Sequence, residues 1–121
     1  MSDTKEQQFT KKVLDSIIEI LDSKKASDIN VLDLQGKGYI SQFVVIATSM
    51  AGKHSLALLE YLKEGLKPLG AKFYAVDDSS EDWIIIDLGE IMVHIFTENH
   101  RNKYNLDEFL EKNFKDSIKN D

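Results

Sequence analysis

The stretch DWIIIDLGEIMVHIF, residues 82–96, constrains the fold more than any other part of the chain. Two runs of strand-forming residues flank Leu88-Gly89-Glu90, and a glycine between two such runs is the mark of a tight hairpin. Side chains alternate along a strand, and residues opposite one another in a hairpin share a face. With the turn at Leu88-Gly89 or at Gly89-Glu90 the faces come out the same. Ile84, Ile86, Leu88, Ile91, Val93 and Ile95 fall on one side, and Trp83, Ile85, Asp87, Met92, His94 and Phe96 on the other. The first set is aliphatic throughout and needs helices over it. The second mixes large apolar groups with an Asp and a His, which are costly to bury without partners. Two readings of that second face follow. In one, the C-terminal helix folds over it, so that Trp83 is core and Asp87 and His94 form a satisfied buried pair. In the other it stays open, an apolar patch of the kind that marks interaction sites.

Around the hairpin the periodicity changes along the chain. Thr4-Lys5-Glu6-Gln7 has the spacing of a capping box, and Phe9, Val13, Ile17, Ile20 and Leu21 then recur at helical period, to about Lys24. Residues 29–34 read as a strand and 35–38 as a turn. Phe43-Val44-Val45-Ile46-Ala47-Thr48 is the nearly unbroken apolar run of a central strand covered on both faces. A second helix spans about 51–67, with Leu58, Leu59, Leu62 and Leu66 as its stripe, and Pro68-Leu69-Gly70 stops it. Residues 72–76 read as a third strand. A last helix is expected from Asn105, capped with Glu108, with Leu106, Phe109, Leu110 and Phe114 as its stripe. The order α-β-β-α-β-β-β-α predicts a mixed five-stranded sheet packed with helices, in one domain over 1–121 whose ends, 1–5 and 115–121, are expected to fray.

The net charge of −6 is the wrong sign for a bare nucleic-acid binder and suits a basic protein partner, or serves solubility alone. The chain has no cysteine, which removes disulfides and thiolate chemistry. The N-terminus reads as neither a signal nor a transit peptide, and no apolar run reaches membrane-spanning length; a cytoplasmic protein is expected. Catalytic and metal readings find little support. His54, His94 and His100 are the only histidines, and His94, Glu98 and His100 fit no standard ligand spacing. Asp87 with His94 is half of a general-base arrangement without a nucleophile. Gly36-x-Gly38 precedes a strand and is a turn. No cofactor or metal is expected.

Residues 82–96 also match a family pattern: acid-Trp, three aliphatics, Asp, an aromatic, Gly, an acid, aliphatics, His, aliphatic, Phe. Lys25-Ala26-Ser27-Asp28-Ile29 with Leu32-Asp33, the 43–48 run followed by His54, and Arg101-Asn102-Lys103-Tyr104-Asn105-Leu106 agree in order and spacing. Over about residues 9–110 the chain resembles the ribosomal silencing factors, or Iojap-like proteins. It departs at Gln42, Ser49, Ala51, Lys53, Asp77, Leu88 and Leu110, mostly around the start of the second helix and the acidic loop. The resemblance implies a fold similar to nucleotidyltransferases without their Gly-Ser and Asp-x-Asp signature. It implies docking on ribosomal protein L-fourteen of the large subunit, steric block of subunit joining, less translation when nutrients are scarce, and homodimers of the isolated factor. On this reading Trp83, Ile85, Met92 and Tyr104 form the docking patch, Asp87, His94 and Arg101 orient it, and Phe96 lies partly covered beside it. Contact with ribosomal RNA would be peripheral, and DNA and membranes would not be partners. Two other classes stay open: a nucleotide-binding enzyme remnant using Asp77, Asp78 or Asp87, and a pure homodimerisation module.

Overall fold

The computed structural model describes residues 4–115. The chain runs α1 (Lys5–Ser23), β1 (Ser27–Asp33), β2 (Phe43–Ser49), α2 (Gly52–Leu66), a 3-10 turn (Lys67–Leu69), β3 (Ala75–Asp77), β4 (Trp83–Asp87), β5 (Ile91–Thr97), α3 (Glu98–Tyr104), α4 (Leu106–Leu110) and a π-helical turn (Glu111–Lys115). The five strands form one mixed sheet in the order β1-β2-β5-β4-β3. Only β2 and β5 are parallel; the other pairs are antiparallel. The expected sheet and its expected strand sequence are both present.

The capping box is formed at Thr4: the Gln7 N–H donates to Thr4 Oγ1 at 3.1 Å and the Thr4 N–H to Gln7 Oε1 at 2.9 Å. Thr4 and Lys5, expected at a fraying end, thus make the capped start of α1. Residues 1–3 and 116–121 of the ends expected to fray lie outside the described residues. The aliphatic stripes of α1 and α2 (Val13, Ile17, Leu21; Leu58, Leu62, Leu66) pack on the back of the sheet. The two helices approach so closely that a methyl added at Gly65 would run into Ile20. From the sheet Ile84, Ile86, Ile91, Val93 and Ile95 face this layer, all buried. β2, buried along its whole length, is the central strand that its apolar run predicts.

The hairpin pairs Trp83 with Phe96, Ile85 with His94 and Asp87 with Met92. The Leu88 N–H donates to the Ile91 carbonyl, leaving Gly89-Glu90 as the two turn residues. Gly89 has φ +85° and Glu90 does not lie in the left-handed region, which is the pattern of a type II′ turn with glycine at its first central position.

Two expectations fail locally. β3 pairs only over Ala75–Asp77, because β4 ends at Asp87 and Lys72 and Phe73 have no strand opposite them. The terminal helix begins at Glu98, seven residues before Asn105, and breaks there. Asn105 takes a left-handed conformation (φ 47°) between α3 and α4, and its amide donates to Glu108 Oε1 at 3.0 Å instead of accepting a helix N–H.

Candidate functional site

α3 and α4 decide what becomes of the front of the sheet. Leu106, Leu110 and Phe114 lie over Leu32, Leu34, Val44, Ile46 and Phe96, and Tyr39 closes the cluster edge-on against Phe114 with ring centres 4.8 Å apart. The half formed by β1, β2 and the end of β5 is therefore sealed. The half formed by β4 and the start of β5 is not: Trp83, Ile85, Asp87 and Met92 are all partly exposed. The C-terminal helices cover one half of this face and leave the other part-exposed.

The boundary is a graded column of rings. Phe96 is fully buried (0 % exposed), Trp83 stacks on it at 4.8 Å, and Tyr104 of α3, 48 % exposed, packs against Trp83 at 5.2 Å. His100 continues the column, 5.6 Å from Tyr104. The indole is braced from inside and from above, with part of its surface open.

The expected site residues divide accordingly. Trp83, Ile85, Met92 and Tyr104 are brought together on the open half. Phe96 is a correction: it belongs to the sealed cluster and cannot touch a partner. For His94 the correction is to direct contact with a partner, since only 6 % of it is exposed. It makes no pair with Asp87, because the register sets His94 opposite Ile85 and Asp87 opposite Met92. Its Nδ1 accepts the Trp83 indole N–H at 3.0 Å, and its Nε2 is buried with no partner. Burial pushes its pKa down from 6.5 to about 4, against the pull of the Asp107 carboxylate. Asp87 accepts the Gly89 N–H at 2.8 Å, bracing the turn.

Arg101 is a third correction, for its guanidinium is spent inside the molecule. It forms a bidentate pair with Asp107 (Nε to Oδ1 3.2 Å, Nη2 to Oδ2 2.8 Å), donates to Thr48 Oγ1 at 2.8 Å, and donates to the Asp28 carbonyl. Asn30 donates to the same Asp107 carboxylate at 2.8 Å. Burial raises the Asp107 pKa, but the hydrogen bonds from Arg101 and Asn30 and the Arg101 charge outweigh it and hold the carboxyl below its usual range. This clamp ties α3 and α4 to β1 and β2. Sequence reasoning missed it, and Asp107 with it, because its members lie as far as 77 positions apart.

Acids rim the open half. Asp77 follows Val76 on the edge strand, and hydrogen bonds from the Ser79 hydroxyl and N–H lower its carboxyl pKa. Asp82 accepts the Thr97 hydroxyl at 3.0 Å beside Trp83. Among the described residues no group of three or more His, Asp or Glu could hold a metal ion. The start of α2, whose free N–H groups would attract an anion, is faced by an acid: a methyl at Gly52 would run into the Glu81 side chain. The open half is apolar ground with acids at its margin, and the Lys103 ammonium lies 5.5 Å from the Tyr104 ring centre at its helical side.

A profile of the family described as ribosomal silencing factor during starvation matches residues 7–121. The chain belongs to this family. A ribosomal silencing factor from Haemophilus influenzae is 29 % identical over 96 residues, covering 78 % of this chain and 94 % of that one. The mouse protein named for mitochondrial assembly of the ribosomal large subunit is 22 % identical over 98 residues, covering 78 % of this chain and 43 % of its own length. The crystal structure of a protein from Bacillus halodurans superposes with a TM-score of 0.71 at 28 % identity, over 82 % of this chain and 93 % of that one. No helix among the described residues is long and apolar enough to cross a membrane.

Proposed function

We propose that this ribosomal silencing factor docks on ribosomal protein L-fourteen of the large subunit through the open half of the sheet, and by its bulk keeps the small subunit from joining. The observation that carries the reading is the braced, part-exposed indole of Trp83, flanked by Tyr104, Ile85 and Met92. Tryptophan anchors of this kind are frequent hot spots at protein interfaces. Asp87, Asp82 and Asp77 at the margin, with a net charge of −6, favour a basic ribosomal protein and disfavour bare ribosomal RNA, DNA or an anionic membrane. Phe96, His94 and Arg101 support the patch from beneath and behind. No bond is made or broken; occupancy sets the effect, in the cytoplasm and under nutrient limitation. The Glu81 carboxylate at the start of α2 weighs against a nucleotide-binding remnant, which would need an anion there. Truncating a central aromatic anchor costs about 2 kcal/mol, or roughly thirtyfold in affinity. In a pull-down of purified large subunits at equal folded concentration, Trp83→Ala should therefore bind about thirtyfold more weakly than the wild type. Unchanged binding would remove Trp83 from the site. A homodimer through the same face would appear as self-association that Trp83→Ala abolishes, with no binding to large subunits.

A further inference from the structure

His94 is a buried titratable group that the docking surface does not use directly. Its ring lies on the front of the sheet, in register with Ile85 of β4 and Ile46 of β2. It holds one hydrogen bond, from the Trp83 indole N–H to Nδ1 at 3.0 Å. For Nδ1 to accept, the proton must sit on Nε2, so the neutral ring is fixed in the Nε2–H tautomer. That Nε2–H is then buried without an acceptor among the described residues, an arrangement that costs stability and that an aliphatic side chain would avoid. Among the described residues the charge that acts on the ring is that of Asp107 of α4, itself paired with Arg101 of α3. The ring therefore sits in a site that disfavours its polarity, and its one polar contact is to the residue that anchors docking.

We infer that His94 is a positioning residue. It touches no partner, and its Nδ1 lone pair sets the rotation of the Trp83 indole, so that the anchor meets the ribosomal protein already oriented. The packing of Trp83 against Phe96 and Tyr104 limits the plane of the indole but leaves open which of the two flips, related by a half-turn about the Cβ–Cγ bond, the ring takes. The hydrogen bond to His94 removes that freedom. Ordering an anchor before binding lowers the entropy lost on association. The inference rests on the docking reading above.

Trp83 is the only tryptophan, so its indole N–H resonance and its fluorescence report on this contact alone. Four variants separate the possibilities. His94→Leu removes the acceptor, His94→Asn restores one near the Nδ1 position, Trp83→Phe keeps a ring without the N–H, and the double variant His94→Leu with Trp83→Phe tests coupling. We expect His94→Leu to melt at the wild-type temperature or above it, to shift the indole resonance, and to bind large subunits about fivefold more weakly, the value of one neutral hydrogen bond. His94→Asn should recover most of that loss. The double variant should bind no more weakly than Trp83→Phe alone. The indole resonance of the wild type should hold steady from neutral pH down to mildly acidic pH and move only as His94 takes up its proton, near 4. Wild-type affinity in His94→Leu, or additive losses in the double variant, would overturn the inference while a weakened Trp83→Ala keeps the docking face intact. If Trp83→Ala itself binds like the wild type, the docking reading fails and His94 has nothing to position. Should His94→Leu not fold, His94→Asn decides: affinity that follows the indole N–H hydrogen bond, near wild type where the bond is kept and weakened where it is lost, supports the inference, and affinity independent of that bond overturns it.

Discussion

Phe96 and Trp83 stand opposite each other on neighbouring strands, rings stacked at 4.8 Å, and meet different environments. Phe96 lies under the C-terminal helices in the sealed half of the front face. Trp83, one strand further, is at the edge of their cover. Both halves use the same pleated pattern and similar residue types, so strand chemistry does not separate them. What separates them is where α3 and α4 come to rest, and the Arg101–Asp107 clamp fixes that. A sheet face of this kind is finished by whatever crosses it. Here a short helical segment finishes half and leaves the rest for a partner.

The contrast should be plainest in stability. Phe96→Ala should lose about 4 kcal/mol, since it empties a fully packed site; a denaturant midpoint measures it, and a loss below that of any open-half truncation would erase the distinction. Acid comes next. The folded pKa of His94 lies below its unfolded value, so the unfolded chain takes up the proton first. Stability is intact above 6.5, falls as the pH drops from 6.5, and has lost its full share near 4. The shift corresponds to roughly 3 kcal/mol. Urea melts from pH 7 to 4 should show this slope, and His94→Leu should flatten it. Arg101→Ala should cost about 2 kcal/mol, between the values for buried and exposed ion pairs, because its side chain and that of Asp107 are 14 % and 18 % exposed. Hydrogen exchange should quicken in α3 and α4 while the hairpin keeps its protection. The smallest effect belongs to the open half itself: Ile85→Lys should change stability by less than about 1 kcal/mol, whereas Ile86→Lys, one position along and facing the aliphatic core, should fail to fold.

The back of the sheet was legible because its signals are local. Period-two alternation on either side of Gly89 sorted the hairpin into its two faces, and the leucine stripe of α2 named the covering of one. The front was legible only as a question. α3 has no apolar stripe, so periodicity passes over it, and it is held in place by Arg101 and by the contact of Tyr104 with Trp83. Leu106, Leu110 and Phe114 announce an amphipathic segment without saying which strands it will cover. Phe109, expected in the same stripe, is 56 % exposed, while Leu106 and Leu110 of the same helix pack onto the front cluster. The Arg101 clamp joins Asp28, Asn30, Thr48 and Asp107, and contacts across such separations leave no pattern in a single sequence.

The most direct test of the open half as the ribosomal docking surface is a sedimentation profile of purified large and small subunits with the factor present. Wild type should travel with the large subunit and reduce the joined fraction, and Tyr61→Lys, altered on the far helix α2, should do the same. Ile85→Lys, folded but charged in the middle of the open half, should do neither. Co-sedimentation and full inhibition by Ile85→Lys would contradict the account and move the interface elsewhere on the molecule.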